Sequence, residues 1–290
     1  MNKKSESAPV LKCPTALRTT HCALFALLSA LSGLIVIGCI DTYKLERPET
    51  RIHTATGINE LNLASGNGAL AVSATTETLI TVNITRYCWG RDSTDASRYL
   101  NNITISDTVV GAAWCVAAQL PSGRRAYGAQ FAAAAPARLR LRLATTNGRV
   151  TVSGMTGGIE ASTSNGTVTL TGTEGAATVA TTNSPVIVQV HRGPVTIATT
   201  NAEIDCDLAE LGATDTATLR TSNGTVTLRL PADVAAVVDA QTSNGMITFT
   251  GFSTISYQLQ EPTHQRVRIG SGAALVTITT TNGDISIRAR

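Results

Sequence analysis

From Leu139 to the C-terminus, apolar and polar residues alternate in short runs that break at a recurring tetrad. Thr145-Thr146-Asn147-Gly148 comes first. It returns as Thr163-Ser164-Asn165-Gly166, Thr181-Thr182-Asn183-Ser184, Thr199-Thr200-Asn201-Ala202, Thr221-Ser222-Asn223-Gly224, Thr242-Ser243-Asn244-Gly245 and Thr280-Thr281-Asn282-Gly283. Three residues after each Asn stands Val150, Val168, Val186, Ile204, Val226, Ile247 or Ile285, and two further on Val152, Leu170, Val188, Cys206, Leu228, Phe249 or Ile287. The residues between are mostly polar, with Ile187 the exception. Upstream the parity holds, as in Leu141 and Leu143, Val195 and Ile197, or Val276 and Ile278, and the residue two before each Asn is always Thr. Such period-two alternation predicts strands with one dry and one wet face. Each unit is two short strands joined at the Asn.

The first four Asn are 18 residues apart, and the later gaps are 22, 21 and 38. A period near 20 is that of a solenoid, whose units bury together a face that none can bury alone. The 38-residue gap is read as holding one degenerate unit. The fold class expected is all-β, a β-helix or β-solenoid of about 18 to 22 residue coils. Asn147, Asn165, Asn183, Asn201, Asn223, Asn244 and Asn282 are its structural corners, each suited to a left-handed backbone. Their stacked amides are placed to form a ladder. Antiparallel hairpins are the rival, because Asn-Gly is also a hairpin turn. Two copies oppose it: Pro185 lacks the N–H that a turn over Asn183-Ser184 needs, and Ala202 is a poor residue for positive φ.

The N-terminus has a different pattern. Lys3, Lys4, Lys12 and Arg18 precede an apolar run from Cys22 to Ile37, which ends in Val36-Ile37-Gly38-Cys39. This is the layout of a secretory signal, and the four closing residues resemble the bacterial lipobox, which implies lipidation at Cys39. An uncleaved membrane-anchor helix is the alternative. Residues 1–39 are thus a signal or anchor and 40–51, polar and carrying Pro48, a linker. Residues 52–290 form the solenoid, with an irregular stretch at 85–137. Either reading of the leader exports the protein and tethers it to a membrane in the cell envelope, the outer membrane where there is one.

Charge reinforces this division. The chain has 23 Lys and Arg against 20 Asp and Glu; four of those cations and one acid fall in residues 1–38, leaving 19 of each. The rest is neutral, which gives no basis for a nucleic-acid partner. Cys88 and Cys115, each beside a Trp, are expected to form a disulfide in an oxidising compartment. Cys206 sits at an inward position and is expected to be a buried thiol. Arg138, Arg140 and Arg142 alternate with leucines and line one outer face.

No catalytic motif is present: His53, His191 and His264 are scattered, and HExxH, GxSxG and Walker patterns are missing. The chain is read as a non-enzyme with no cofactor. The sharpest candidate chemistry is Glu203, Asp205 and Asp207, three carboxylates on one face of a strand about 7 Å apart. They are a speculative cation or acid/base patch, for calcium or for attack on a polysaccharide. Outward threonines (Thr151, Thr169, Thr227, Thr248) form an interrupted column of the kind found on ice-binding β-helices.

The leader followed by Thr-Ser-Asn-Gly-x-Val-x-Val units, with Leu230-Pro231-Ala232-Asp233 leading into the next copy, resembles the bacterial putative-adhesin family of exported β-helical domains. The resemblance covers about Ile52 to Arg290 and carries over no catalytic residue. It implies a cell-envelope lipoprotein whose solenoid meets a surface glycan or a protein partner. A polysaccharide hydrolase or lyase built on the acidic strand is the alternative.

Overall fold

The computed structural model describes residues 42–122 and 126–290. The leader, with Cys39, and Gly123-Arg124-Arg125 lie outside the described residues. Strands following the Asn residues lie in an 11-stranded sheet (sheet one) and those preceding them in a 12-stranded sheet (sheet two). In sheet one Val150 pairs with Val168, Val168 with Val186 and Val186 with Ile204, all in parallel. In sheet two Leu141 pairs with Ile159, Ile159 with Ala177 and Ala177 with Val195, again in parallel. Hairpins would pair the two strands flanking each Asn antiparallel, so the fold is the β-solenoid. Both strands of a coil turn their apolar residues inward, and Leu141, Val150, Val168 and Ile197 are fully buried. Each such burial is worth about 1.5–3 kcal/mol.

The corner is built differently from the expectation. Among the described residues the only non-glycine with positive φ is Val190, so the Asn residues are not left-handed. Their amides do form a ladder. Asn147 Nδ2 donates to Asn67 Oδ1, and the run continues through Asn165, Asn183, Asn201, Asn223, Asn282 and Asn244 at 2.7–3.0 Å. Asn67 ends it by donating to the Tyr127 carbonyl at 3.2 Å. The Gly after the Asn is required by close approach rather than by backbone freedom. A Cβ on Gly148 would stand 1.9 Å from the Gly68 carbonyl oxygen of the adjoining coil.

The same carbonyls explain the constant Thr. Its side chain points inward, is buried, and donates across the stack: Thr145 to Gly68, Thr163 to Gly148, Thr221 to Ala202, Thr280 to Gly224 and Thr242 to Gly283, at 2.9–3.2 Å. Ser65 does the same to Ala129 at 2.9 Å. The two coils that lack the glycine, those with Ser184 and Ala202, are the two whose hydroxyls (Thr181 and Thr199) find no partner. The residue after the Asn and the bonding of the Thr beneath it thus change together.

The coils stack in the order 113–136, 60–75, 140–153, 159–171, 177–192, 195–210, 216–230, 274–289, 236–250. This order departs from the sequence at both ends. The 38-residue gap holds no degenerate coil; Ile255–Gln260 and His264–Ile269 form an antiparallel hairpin that extends sheet two beyond Ala236–Gln241. The stretch 85–137, expected to be irregular, contains the short helix Ser93–Leu100 and most of an outermost coil, whose strands Ala113–Gln119 and Tyr127–Pro136 pair in parallel with Glu60–Asn67 and Leu70–Thr75. The expected linker is also largely absent. Tyr43–Thr54 is a 12-residue strand paired antiparallel with Leu79–Gly90, and Pro48 is accommodated because this is the edge strand of sheet one.

The disulfide does not form. Cys88 lies in sheet one within a small apolar cluster with Leu100, Ile103 and Tyr127, whereas Cys115 lies in sheet two, where its sulfur accepts from Asn62 Nδ2 at 3.3 Å. The two sulfurs belong to different sheets and point into different surroundings, so the likeness of their Trp neighbours does not bring them together.

Candidate binding face

Register fixes the outward column of sheet one as Ala71, Thr151, Thr169, Ile187, Asp205, Thr227, Ser286 and Thr248 in adjacent coils. Successive members are about 4.8 Å apart. Ile187 and Asp205 interrupt the hydroxyls, and Ser286 separates Thr227 from Thr248.

The structure places Glu203, Asp205 and Asp207 near one another at the middle of this face, and it partners two of them. Arg229 grips Asp205 with both terminal nitrogens, at 2.5 and 3.3 Å, and this hydrogen bond raises the Arg229 pKa above its ordinary value. Arg290 Nε reaches Asp207 at 2.9 Å. Two of the three carboxylates are therefore engaged by guanidinium groups rather than turned toward a shared cation. Among the described residues no three His, Cys, Asp or Glu are grouped to hold a metal ion. Cys206, between the two aspartates, is fully buried; burial first, and then the two neighbouring carboxylates, push its thiol pKa far up. On sheet two the arginine stripe is matched by acids of adjacent coils, with Arg142 3.1 Å from Glu160 and Arg140 within 3.7 Å of Glu60 and Glu160.

The histidines stay apart. His53 lies against Trp114 with the rings tilted and their centroids 5.3 Å apart, and His264 Nε2 lies 2.8 Å from Asp239. His191 is fully buried, with Nδ1 2.9 Å from the Thr173 hydroxyl, and burial lowers its pKa. A bulge puts it there: Val190, at φ 57°, is thrown outward where strict alternation would have kept it inside.

One feature of the face was not visible in the sequence. Where coil 274–289 sits between coils 216–230 and 236–250, a shallow depression of about 300 Å³ opens, lined by Thr227, Thr248, Ser286, Asp284, Arg288 and Met246 among others. Met246 is 64% exposed, and its backbone N–H donates to Asp284 at 2.8 Å. These residues meet only because the last coil of the sequence is not the last of the stack.

Solved structures of similar fold include a putative cell adhesion protein from Clostridium sporogenes, 12% identical, covering 85% of this chain and 100% of that one with a TM-score of 0.36. Others are putative adhesins from Bacteroides fragilis (10% identical, 84% and 97% covered, TM-score 0.41) and Parabacteroides distasonis (10%, 83% and 97%, 0.39). Among curated proteins none matches the sequence. The family model described as Toastrack DUF4097 matches residues 135–288, the stretch that carries every Asn of the ladder except Asn67 and the Thr hydroxyls beneath it. The chain belongs to the Toastrack DUF4097 family.

Proposed function

We propose that this protein is an exported cell-envelope lipoprotein, anchored through Cys39, whose solenoid is a non-enzymatic binding module for a surface glycan. In a two-membrane cell its place is the outer membrane. The observation that carries the binding role is the depression on sheet one. The Thr227, Thr248 and Ser286 hydroxyls both donate and accept, Arg288 and Asp284 add charged hydrogen-bonding groups, and Met246 offers an apolar platform. Sugars present the same mixture of hydroxyl groups and apolar C–H faces. The pairing of Asp205 and Asp207 with arginines weighs against the hydrolase or lyase alternative.

A glycan array probed with the protein tests this reading. Binding that weakens about tenfold, or roughly 1.4 kcal/mol, on Arg288→Ala or Met246→Ser supports it. The absence of any glycan signal from the wild-type protein, or binding indifferent to both substitutions, refutes it. A protein ligand in place of a glycan would appear as array-negative material that still adheres to protease-sensitive cell surfaces.

A further inference from the structure

The chain turns into ordered strand almost as soon as the proposed anchor ends. Only residues 40–42 separate Cys39 from Tyr43, the first residue of the strand Tyr43–Thr54. At about 3.3–3.6 Å per residue, Tyr43 lies at most about 14 Å from Cys39, so an acylated Cys39 confines this corner of the solenoid to the neighbourhood of the headgroup layer.

The residues at that corner have the matching chemistry. Tyr43 is 42% exposed. Lys44, the only Lys after the leader, holds its ammonium 5.3 Å from the centre of the Tyr87 ring and 5.9 Å from that of Trp89. Register places them together, with Lys44 opposite Trp89 and Glu46 opposite Tyr87. Both rings are part-exposed. Tyr and Trp concentrate at lipid–water interfaces because the ring is apolar and its tip is polar, and Lys extends its ammonium to the phosphates from there. Lys44 also pairs with Glu46 at 2.5 Å, so the rings rather than net charge supply the attraction.

We infer that the face formed by Lys44, Tyr87 and Trp89, with Tyr43 beside it at the strand end, rests in the phospholipid headgroup layer and holds the solenoid against the membrane instead of on a flexible stalk. This rests on the proposed acylation of Cys39. The chain's two tryptophans make a direct test possible, since Trp114 is 1% exposed and hydrogen-bonded to Asp107 whereas Trp89 stands at the corner. The full-length protein is purified from membranes, the acyl group on Cys39 is checked by mass, and the protein is placed in phosphatidylethanolamine–phosphatidylglycerol vesicles carrying quenchers at the headgroup or at mid-chain. The expected result is that the headgroup quencher removes roughly half of the Trp89 emission and the mid-chain quencher much less. Trp89→Phe should abolish the quenchable part, and Tyr43→Ser with Lys44→Glu should reduce it, with the circular dichroism unchanged. With Cys39 acylated, unquenched Trp89, or quenching that the double substitution leaves intact, overturns the docking and spares the anchor. A mass without the acyl group overturns the anchor and the docking with it.

Discussion

Gly224→Ala isolates the corner that every coil shares. The added Cβ would stand 2.0 Å from the carbonyl oxygen of Ala202 and 2.4 Å from its carbon. Both are backbone atoms with no rotamer to change, so the corner must lift. Lifting removes the 2.9 Å bond from the Thr221 hydroxyl to that oxygen and leaves a buried hydroxyl like those of Thr181 and Thr199. An unsatisfied buried donor costs about 1–3 kcal/mol, and replacing Gly with Ala returns about 0.4–1 kcal/mol through the unfolded chain. The net expectation is a loss of about 1–2 kcal/mol, read as a lower urea midpoint at unchanged slope. A double-mutant cycle decides the cause: in a Thr221→Val background the same glycine change should cost about 1 kcal/mol less. Equal losses in both backgrounds would refute the link between the glycine and the hydroxyl. The reverse change, Ala202→Gly, should be neutral or stabilising, because Thr199 regains a carbonyl within reach.

Other consequences follow from single sites. Burial keeps His191 neutral by lowering its pKa from the ordinary 6.5, so its contribution is intact above that value and is lost as pH falls below it, where the unfolded chain takes up the proton. Melting temperature should drop on acidification through that range, and His191→Leu should flatten the drop. With its pKa pushed up and its side chain fully buried, Cys206 should resist a thiol reagent until denaturant is added. Asp205→Asn breaks a half-exposed pair and should shift stability by no more than about 1 kcal/mol after solvent screening. Calcium at millimolar concentration should not raise the melting temperature of the wild-type protein; a clear rise would restore the cation reading of Glu203, Asp205 and Asp207.

The legible part of this fold is the part each coil encodes for itself. Alternation about Asn147 or Asn223 fixes which side chains face inward, and the period makes those faces stack, so the parallel sheets and the amide ladder could be read from the residues alone. Interactions with a neighbouring coil could not. The role of the constant Thr depends on a carbonyl in another coil, and the glycine reads as a source of flexibility until that carbonyl is seen about 2 Å from where a Cβ would stand. His191 illustrates a second limit, because a single bulged residue reverses the parity on which alternation depends.

Coil order was hidden for a related reason. Every coil presents the same Asn and nearly the same inward residues, so coil 274–289 fits next to either 216–230 or 236–250 and the ladder is satisfied in both cases. What selects the observed order is the hairpin Ile255–Ile269. By pairing antiparallel with Ala236–Gln241 on its outer side, it fills that edge and leaves only the inner edge for Ala274–Thr279, which pairs there in parallel. The last coil must then enter between its predecessors, where Thr216–Arg220 takes its other edge. A similar arrangement closes the opposite end, where Ala113–Gln119 occupies the outer edge of Glu60–Asn67 and Arg140–Asn147 takes the inner one. In sheet two both ends carry antiparallel strands, the hairpin at one and Thr104–Val110 at the other, a barrier to edge-to-edge growth, whereas sheet one has them only at the Tyr43–Thr54 end and leaves Ile247–Thr250 as a parallel edge. At the C-terminal end the same detour brings Asp284, Ser286 and Arg288 between Thr227 and Thr248, so the candidate binding depression is a by-product of how the solenoid is terminated.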